Sequence, residues 1–323
     1  MTRFMRWAGE CSGREFADYA ELWDWSVTEI EEFWTAIWEY GGVRASRSYE
    51  QVLDSRRMPG ARWFTGAELN YAENMLSDRD SNKVAVLHAS ELRELDSLTW
   101  AQLTAQVAAT AAGLRALGVE RGDRVVAYMP NIPETLIALL AVASIGAIWS
   151  SAAPEFGARS VIDRFAQIEP VVLLAVDGYR HGGKDFDRTD ALRDILAELP
   201  SVRNTVLLPY LSSAASAAGP PGAMSWSELQ ELGTGEDDGE SAERSELGQR
   251  FEQVPFDHPL WVLYSSGTTG LPKAIVHGHG GILLEQLKKS RLHLDLRRGD
   301  RMFWYTTTGW MMWNFLIGCL FSD

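Results

Sequence analysis

Residues 261–277 read Trp-Val-Leu-Tyr-Ser-Ser-Gly-Thr-Thr-Gly-Leu-Pro-Lys-Ala-Ile-Val-His. The middle, Ser265 to Gly270, is made wholly of hydroxyl-bearing residues and glycine, and Lys273 follows three residues later. Glycine lets the backbone turn tightly and approach a ligand without a Cβ in the way. Backbone N–H groups and Ser/Thr hydroxyls donate to phosphate oxygens, and a lysine ammonium adds a compact positive charge. The flanks, Trp261–Tyr264 and Ala274–His277, read as two short apolar strands. The stretch therefore predicts a hairpin whose loop can cradle a polyphosphate. An ordinary Gly/Ser/Thr turn is the rival reading. The Walker pattern G-x-x-x-x-G-K-[ST] is excluded, because Leu271 rather than lysine follows Gly270.

Upstream of this hairpin, from Lys83 onward, strand and helix patterns alternate. Val84–His88, Arg124–Met129, Ala147–Ser151, Val171–Val176 and Asn204–Leu208 read as strands. Between them lie helices opened by Thr99-Trp100-Ala101-Gln102 and by Asn131-Ile132-Pro133-Glu134, and helices over Ala158–Ile168 and Thr189–Leu199. Downstream, a helix from Gly281 to Leu292 and a strand at Arg301–Tyr305 are expected. Such alternation predicts an α/β fold, a mostly parallel sheet with helices on both faces. A Trp-rich helical segment precedes it. There Ser26-Val27-Thr28-Glu29 matches a capping box, and Ile30, Phe33, Trp34, Ile37 and Trp38 recur at helical spacing up to Gly41-Gly42. This aromatic stripe is expected to pack against the next domain. The domains are read as 1–76, a helical segment, and 77–323, the α/β domain, with a low-complexity acidic loop over 211–250 that a short helix near Trp226–Leu232 is expected to break.

The chain has 323 residues, a net charge of −14 and two cysteines. That length holds a large core. Such charge argues against nucleic acid or an anionic membrane as partners. Cys11 and Cys319 make no disulfide framework and no metal-ligand spacing, so a reducing cytoplasm is expected. His277 and His279 could reach one ligand together, but no third ligand stands near. The apolar run Leu136–Trp149 is shorter than the roughly twenty residues of a spanning helix and reads as a helix buried in the domain. Residues 231–250 carry five more acids than arginines, which suits a solvated loop. Nothing in the sequence bears on oligomeric state.

The decapeptide Tyr264–Lys273 resembles the phosphate-binding signature of the adenylate-forming enzymes, which include acyl-CoA synthetases, luciferases and peptide-synthetase adenylation domains. The likeness extends over nearly the whole chain. Asn70-Tyr71-Ala72-Glu73-Asn74-Met75-Leu76 and the aromatic leader look like the start of the acetyl- and acetoacetyl-CoA synthetase branch. Tyr305–Asn314 looks like that branch's acyl-pocket segment.

The resemblance implies ATP, Mg²⁺ and coenzyme A, with acetoacetate as the acid. It implies phosphate contacts from Ser265, Ser266, Gly267, Thr268, Thr269, Gly270 and Lys273, with Thr268 or Thr269 touching Mg²⁺. It implies an acyl pocket with Trp310, Met311 and Met312. In acetyl-CoA synthetases smaller residues are expected at the two methionine positions, which speaks against acetate. It implies coenzyme A contacts from Phe156, Gly157, Arg180 and Lys184. In the acetyl-CoA relatives the two basic residues are both arginine and three apart, whereas here they are four apart and the second is lysine.

Family segments for adenine, ribose and the adenylation lysine lie outside residues 1–323, so the chain is expected to be the N-terminal part of a longer ligase, without turnover of its own. Three other readings stay open. They are a ligase for another short acid such as acetate or propionate, a carrier-loading adenylation domain, and a non-catalytic nucleotide-binding module.

Overall fold

The computed structural model describes residues 1–212, 219–233, 250–265 and 270–322. Helices α1 (Thr2–Ser12), α2 (Tyr19–Thr28) and α3 (Ile30–Gly41) lead the chain, followed by short strands β1 (Gln51–Leu53), β2 (Trp63–Thr65) and β3 (Glu68–Leu69) and helix α4 (Tyr71–Leu76). Strands β4 (Val84–His88) and β5 (Asp96–Thr99) form a hairpin before the long helix α5 (Trp100–Ala116). Then come β6 (Arg124–Tyr128), α6 (Pro133–Ile145), β7 (Ile148–Ala152), α7 (Ala158–Phe165) and β8 (Val172–Val176). A small hairpin, β9 (Gly178–His181) and β10 (Lys184–Asp187), precedes α8 (Thr189–Ala197), β11 (Asn204–Leu208), β12 (Met224–Ser225) and α9 (Trp226–Leu232). Strands β13 (Val254–Pro255), β14 (Pro259–Ser265) and β15 (Lys273–Gly278) lead to α10 (His279–Lys288), a π turn at Lys289–His293, α11 (Met311–Ile317) and a 3₁₀ turn at Gly318–Ser322.

The central sheet has the order β12-β11-β8-β6-β7-β14-β15, parallel throughout except for the antiparallel pair β14–β15. Alternation along β6 feeds two cores. Val125 and Ala127 join the one with α5, α6 and α10, while Val126 and Tyr128 join the one with α7 and α8. Strand β8, Val-Leu-Leu-Ala-Val, is buried at every position, as a parallel strand covered on both faces must be. Helix α6 is buried almost all round and has thirteen residues. No helix among the described residues is long and apolar enough to cross a membrane.

Local chemistry explains the boundaries. Thr99 and Gln102 form the expected capping box of α5, Pro133 opens α6, and Gly146 ends it with φ +74°. Asn70 caps α4 by accepting from the N–H groups of Ala72 and Glu73, and its amide donates to the Ala143 and Glu252 carbonyls at 2.8 Å each. The aromatic stripe of α3 does pack on the following domain. Trp38 stacks on Phe64 and Phe256, and the Lys288 ammonium sits 4.8 Å over the Trp34 ring.

Three expectations need correction. Ser26 does not cap α3; it lies in the last turn of α2, already started by the Asp18 cap, and its hydroxyl donates to the Trp23 carbonyl. Residues 301–305 are not a strand: Phe303 and Tyr305 are about four-fifths exposed, and no neighbouring strand pairs with them among the described residues. Within the segment read as a loop, Met224–Ser225 joins the edge of the central sheet, while the short helix expected near Trp226–Leu232 forms as α9 and packs on α5. Residues 213–218 and 234–249 of that segment lie outside the described residues.

Candidate active site

In an open parallel sheet, ligands sit beyond the carboxyl ends of the strands, where neighbouring connections leave to opposite faces. Here that point is at β6 and β7. The chain leaves β6 through α6 on one face to reach β7, then leaves β7 through α7 on the other face to reach β8 on the far side of β6. Met129–Asn131 follows β6 and Ala153–Gly157 follows β7, and the hairpin loop hangs from the same end of β14.

The hairpin forms as its sequence predicts. Ser265 pairs with Lys273 at its open end, and the register runs back through Tyr264–Ala274 and Leu263–Ile275. Ser265 and Lys273 are exposed, and Gly270 has φ +122°, a value side-chain-bearing residues rarely adopt. Ser266, Gly267, Thr268 and Thr269 lie outside the described residues. The limbs are tied to α7 and to the turn that follows it. The Tyr264 hydroxyl donates to the Arg164 carbonyl at 2.7 Å, and the Gln167 amide donates to the Pro272 carbonyl at 2.9 Å. Burial pushes the Tyr264 phenol up to about 12, so it stays a neutral donor. The Arg164 guanidinium lies 5.1 Å over Phe156 and 6.0 Å over Tyr264, which links the hairpin to the segment after β7.

The 306–314 segment is stapled across the same strand ends. Thr308 is buried; its hydroxyl donates to the Met129 carbonyl at 2.7 Å, and the Ser151 hydroxyl donates to the Thr308 carbonyl at 2.8 Å. Gly309 lies against Phe156 so closely that a Cβ would stand 2.7 Å from the ring's Cζ. Trp313 stacks on Trp149, and its indole donates to Asn131 Oδ1 at 2.9 Å. The Tyr128 hydroxyl, within 2.9 and 2.7 Å of the Pro154 and Phe156 carbonyls, fixes the turn that presents Phe156 and Gly157. Phe156 and Gly157 are thus brought together with the 306–314 segment and the β14–β15 hairpin.

Trp310, Met311 and Met312 stand at the start of α11. Trp310 and Met311 are more than half exposed, and Met312 is half-buried, so these residues line a surface rather than a closed pocket within the described residues. A cleft of about 810 Å³ opens instead among Arg14, Phe16, Trp25 and Glu29, far from the strand ends in sequence and holding none of the site residues.

Arg180 and Lys184 belong to a separate piece of structure. They lie on the β9–β10 hairpin, which extends from the carboxyl end of β8 and turns at Gly182-Gly183 with φ +59° and +73°. It is a two-residue hairpin whose inner positions both have positive φ. Arg180 pairs with Asp185 through two hydrogen bonds, Nε–Oδ1 at 2.5 Å and a second at 3.1 Å. That guanidinium holds the Asp185 carboxyl below its usual range. Glu91, from the β4–β5 loop, accepts from the N–H groups of Gly182 and Gly183 at 2.7 Å each, and those two donors hold its carboxyl low as well. Lys184 is exposed and opposes His181 across the hairpin. Nothing local in the sequence points to Glu91, since its partners lie some ninety residues away.

The two histidines have structural partners. His277 Nδ1 accepts from the Trp261 indole at 3.0 Å, and His279 Nδ1 accepts from the Tyr71 N–H at 3.2 Å. No group of three or more His, Cys, Asp or Glu side chains that could hold a metal ion occurs among the described residues.

The doubly wound sheet, with the β14–β15 hairpin at its switch point, is an α/β fold of the kind that places ligands beyond its strand ends. The AMP-binding enzyme family model matches residues 76–322, and the acetyl-coenzyme A synthetase N-terminus matches residues 19–75. The chain belongs to the AMP-binding enzyme family. It is 44% identical over 316 residues to an acetoacetyl-coenzyme A synthetase of Rhizobium meliloti (strain 1021), covering 98% of this chain and 47% of that protein. It is 39% identical over 325 residues to the acetoacetyl-CoA synthetase of Rattus norvegicus, covering 99% and 47%. The solved acetoacetyl-CoA synthetase from Streptomyces lividans superposes with a TM-score of 0.90 at 52% identity, covering 99% of this chain and 48% of that one. The chain thus spans about half the length of the relatives it matches.

Proposed function

We propose that the whole enzyme activates acetoacetate with ATP and passes the acyl group to coenzyme A. In the first half-reaction a carboxylate oxygen attacks the α-phosphorus of ATP, and the bond to pyrophosphate breaks, giving acyl-adenylate. In the second the coenzyme A thiol attacks the acyl carbonyl, loses its proton, and AMP leaves. Neither half needs a covalent protein nucleophile. What it needs is charge neutralisation on phosphate and alignment of the reactants. The observation that carries the reading is the Tyr264–Lys273 hairpin, hung at the switch point of a chain similar along nearly its full length to acetoacetyl-CoA synthetases.

Ser265 to Gly270 supply hydroxyl and N–H donors to the polyphosphate, and Lys273 adds a positive charge beside the pyrophosphate. Mg²⁺ would take one hydroxyl, from Thr268 or Thr269, and would offset charge on the phosphates. Trp310, Met311 and Met312 face the acyl group, with methionine supplying an adaptable apolar wall. Phe156, Gly157, Arg180 and Lys184 meet the nucleotide end of coenzyme A. The net charge of −14 supports small-molecule partners over nucleic acid or an anionic membrane, and two free cysteines support a reducing cytoplasm.

The test is a panel of acids, with acetoacetate, acetate and propionate given to the whole enzyme with ATP and coenzyme A, and AMP release followed. Acetoacetate giving the highest kcat/KM supports the assignment. A preference for acetate or propionate transfers the activity to that acid, and no acid-dependent AMP release with any of them ends the ligase reading.

A further inference from the structure

The tip of the β9–β10 hairpin holds an anion already, and the anion is the protein's own. Two successive backbone N–H groups in a tight turn make a concavity that suits an anion. Here both converge on one carboxylate, Glu91 Oε1 and Oε2, at 2.7 Å each. Beside them the Arg180 guanidinium is engaged by Asp185 and also feels the charge of Glu91. The two glycine N–H groups and the Arg180 guanidinium, donors that could meet a phosphate at this tip, are therefore each matched to a carboxylate oxygen.

We propose that Glu91 occupies an anion subsite built from Gly182 N, Gly183 N and Arg180, and that the ribose phosphate of coenzyme A displaces it on binding. The proposal rests on the coenzyme A reading of this hairpin. A phosphate monoester fits the arrangement: it carries more charge than a carboxylate and offers three acceptor oxygens to the two N–H groups and the guanidinium. Lys184, on the next residue, adds a second cation that is not yet matched by an ion pair among the described residues.

Release of Glu91 need not unfold its loop. The β4–β5 loop has other anchors: the Tyr210 hydroxyl donates to Ser90 Oγ at 2.7 Å, and Arg93 lies 4.8 Å over the Tyr210 ring while pairing with Glu134 at 2.9 Å. Glu91 is exposed, so its side chain has water to move into. Its role is to keep the subsite closed to weaker anions and to make the phosphate compete for entry.

The experiment measures KM for coenzyme A and for dephospho-coenzyme A, which lacks the ribose phosphate, in the whole enzyme and its Glu91→Ala, Glu91→Gln and Arg180→Ala variants. Removing the competing carboxylate is expected to lower KM for coenzyme A by about three- to tenfold, on the scale of one charge-assisted contact. KM for dephospho-coenzyme A should stay within about twofold, and Glu91→Gln should fall between wild type and Glu91→Ala. An unchanged or raised KM for coenzyme A in Glu91→Ala, or an equal fall with both coenzymes, overturns the proposal; a raised KM would mean that Glu91 only holds the hairpin in place. Arg180→Ala separates the two levels of inference. If it raises KM for coenzyme A while Glu91→Ala does not lower it, the displacement fails and the coenzyme reading stands. If Arg180→Ala leaves KM for coenzyme A unchanged, the coenzyme reading of the hairpin fails and the displacement with it.

Discussion

Two glycine-bearing hairpins rise from the carboxyl edge of one sheet, and they are held in opposite ways. The β14–β15 hairpin is fastened by neutral groups, most of them partly or wholly buried: the Tyr264 phenol and around it the Thr308, Ser151 and Trp313 staple, with the exposed Gln167 amide on the other limb. The β9–β10 hairpin is fastened by exposed charge, through Arg180–Asp185 and Glu91 on two glycine N–H groups. Buried neutral contacts fix geometry and are insensitive to salt. Exposed ion pairs are weak, screened and exchangeable. The first arrangement suits a loop that must align a reacting phosphate. The second suits a surface that trades one anion for another.

The contrast breaks if the two sides respond alike to mutation. The largest effect on stability is expected at Trp313, which is almost wholly buried against Trp149. Trp313→Ala should cost about 3–5 kcal/mol in a urea titration of this chain, the usual range for emptying a buried tryptophan site. A loss under about 1 kcal/mol would show that the 306–314 segment is not anchored through this ring.

Acid should act next, and on the side of the β14–β15 hairpin. His279, at the foot of β15, is buried, and burial pulls its pKa from 6.5 down to about 3. A histidine with a depressed folded value binds more protons when unfolded. Its share of stability is therefore present above about 6.5 and is lost as pH falls below that. Between pH 7 and pH 5 the loss from this residue is about 2 kcal/mol. His279→Asn keeps an acceptor for the Tyr71 N–H and should reduce the pH slope by about that amount, whatever its effect at pH 7. An unchanged slope would remove His279 from the account. Glu91 and Asp185, both held below their usual values, keep their charge across this window.

The smallest effect belongs to the exposed pair. Asp185→Asn should leave the urea midpoint almost unchanged, and what change there is should shrink in high salt. A loss comparable to that of Trp313→Ala would make Asp185 a structural residue and remove the distinction between the hairpins.

The same distinction explains what the amino-acid order reveals. Each strand–helix unit carries its own punctuation, such as Thr99 with Gln102, Pro133, and Gly146, so the parallel sheet is legible from local signals. The β14–β15 hairpin is legible because both of its limbs lie in one short stretch, Trp261–His277. Where competing local signals meet, reading fails. Ser26 has the spacing of a cap but sits inside a helix already begun at Tyr19. Phe303 to Tyr305 have the composition of a strand but no paired neighbour among the described residues. The Glu91 contact and the Thr308–Met129 staple are invisible in the sequence, because they join segments about 90 and 179 residues apart. Only the folded sheet, which brings those strand ends to one edge, creates them.

The central claim is that the Ser265–Gly270 loop holds the phosphates of ATP while an acid is activated. Acetoacetate-dependent exchange of pyrophosphate into ATP, measured in the whole enzyme with Thr268 and Thr269 both changed to valine, tests it without involving coenzyme A. Two lost hydrogen bonds to charged phosphate, at about 1.5–3 kcal/mol each, predict a fall of at least about a hundredfold. Exchange at the wild-type rate would contradict it.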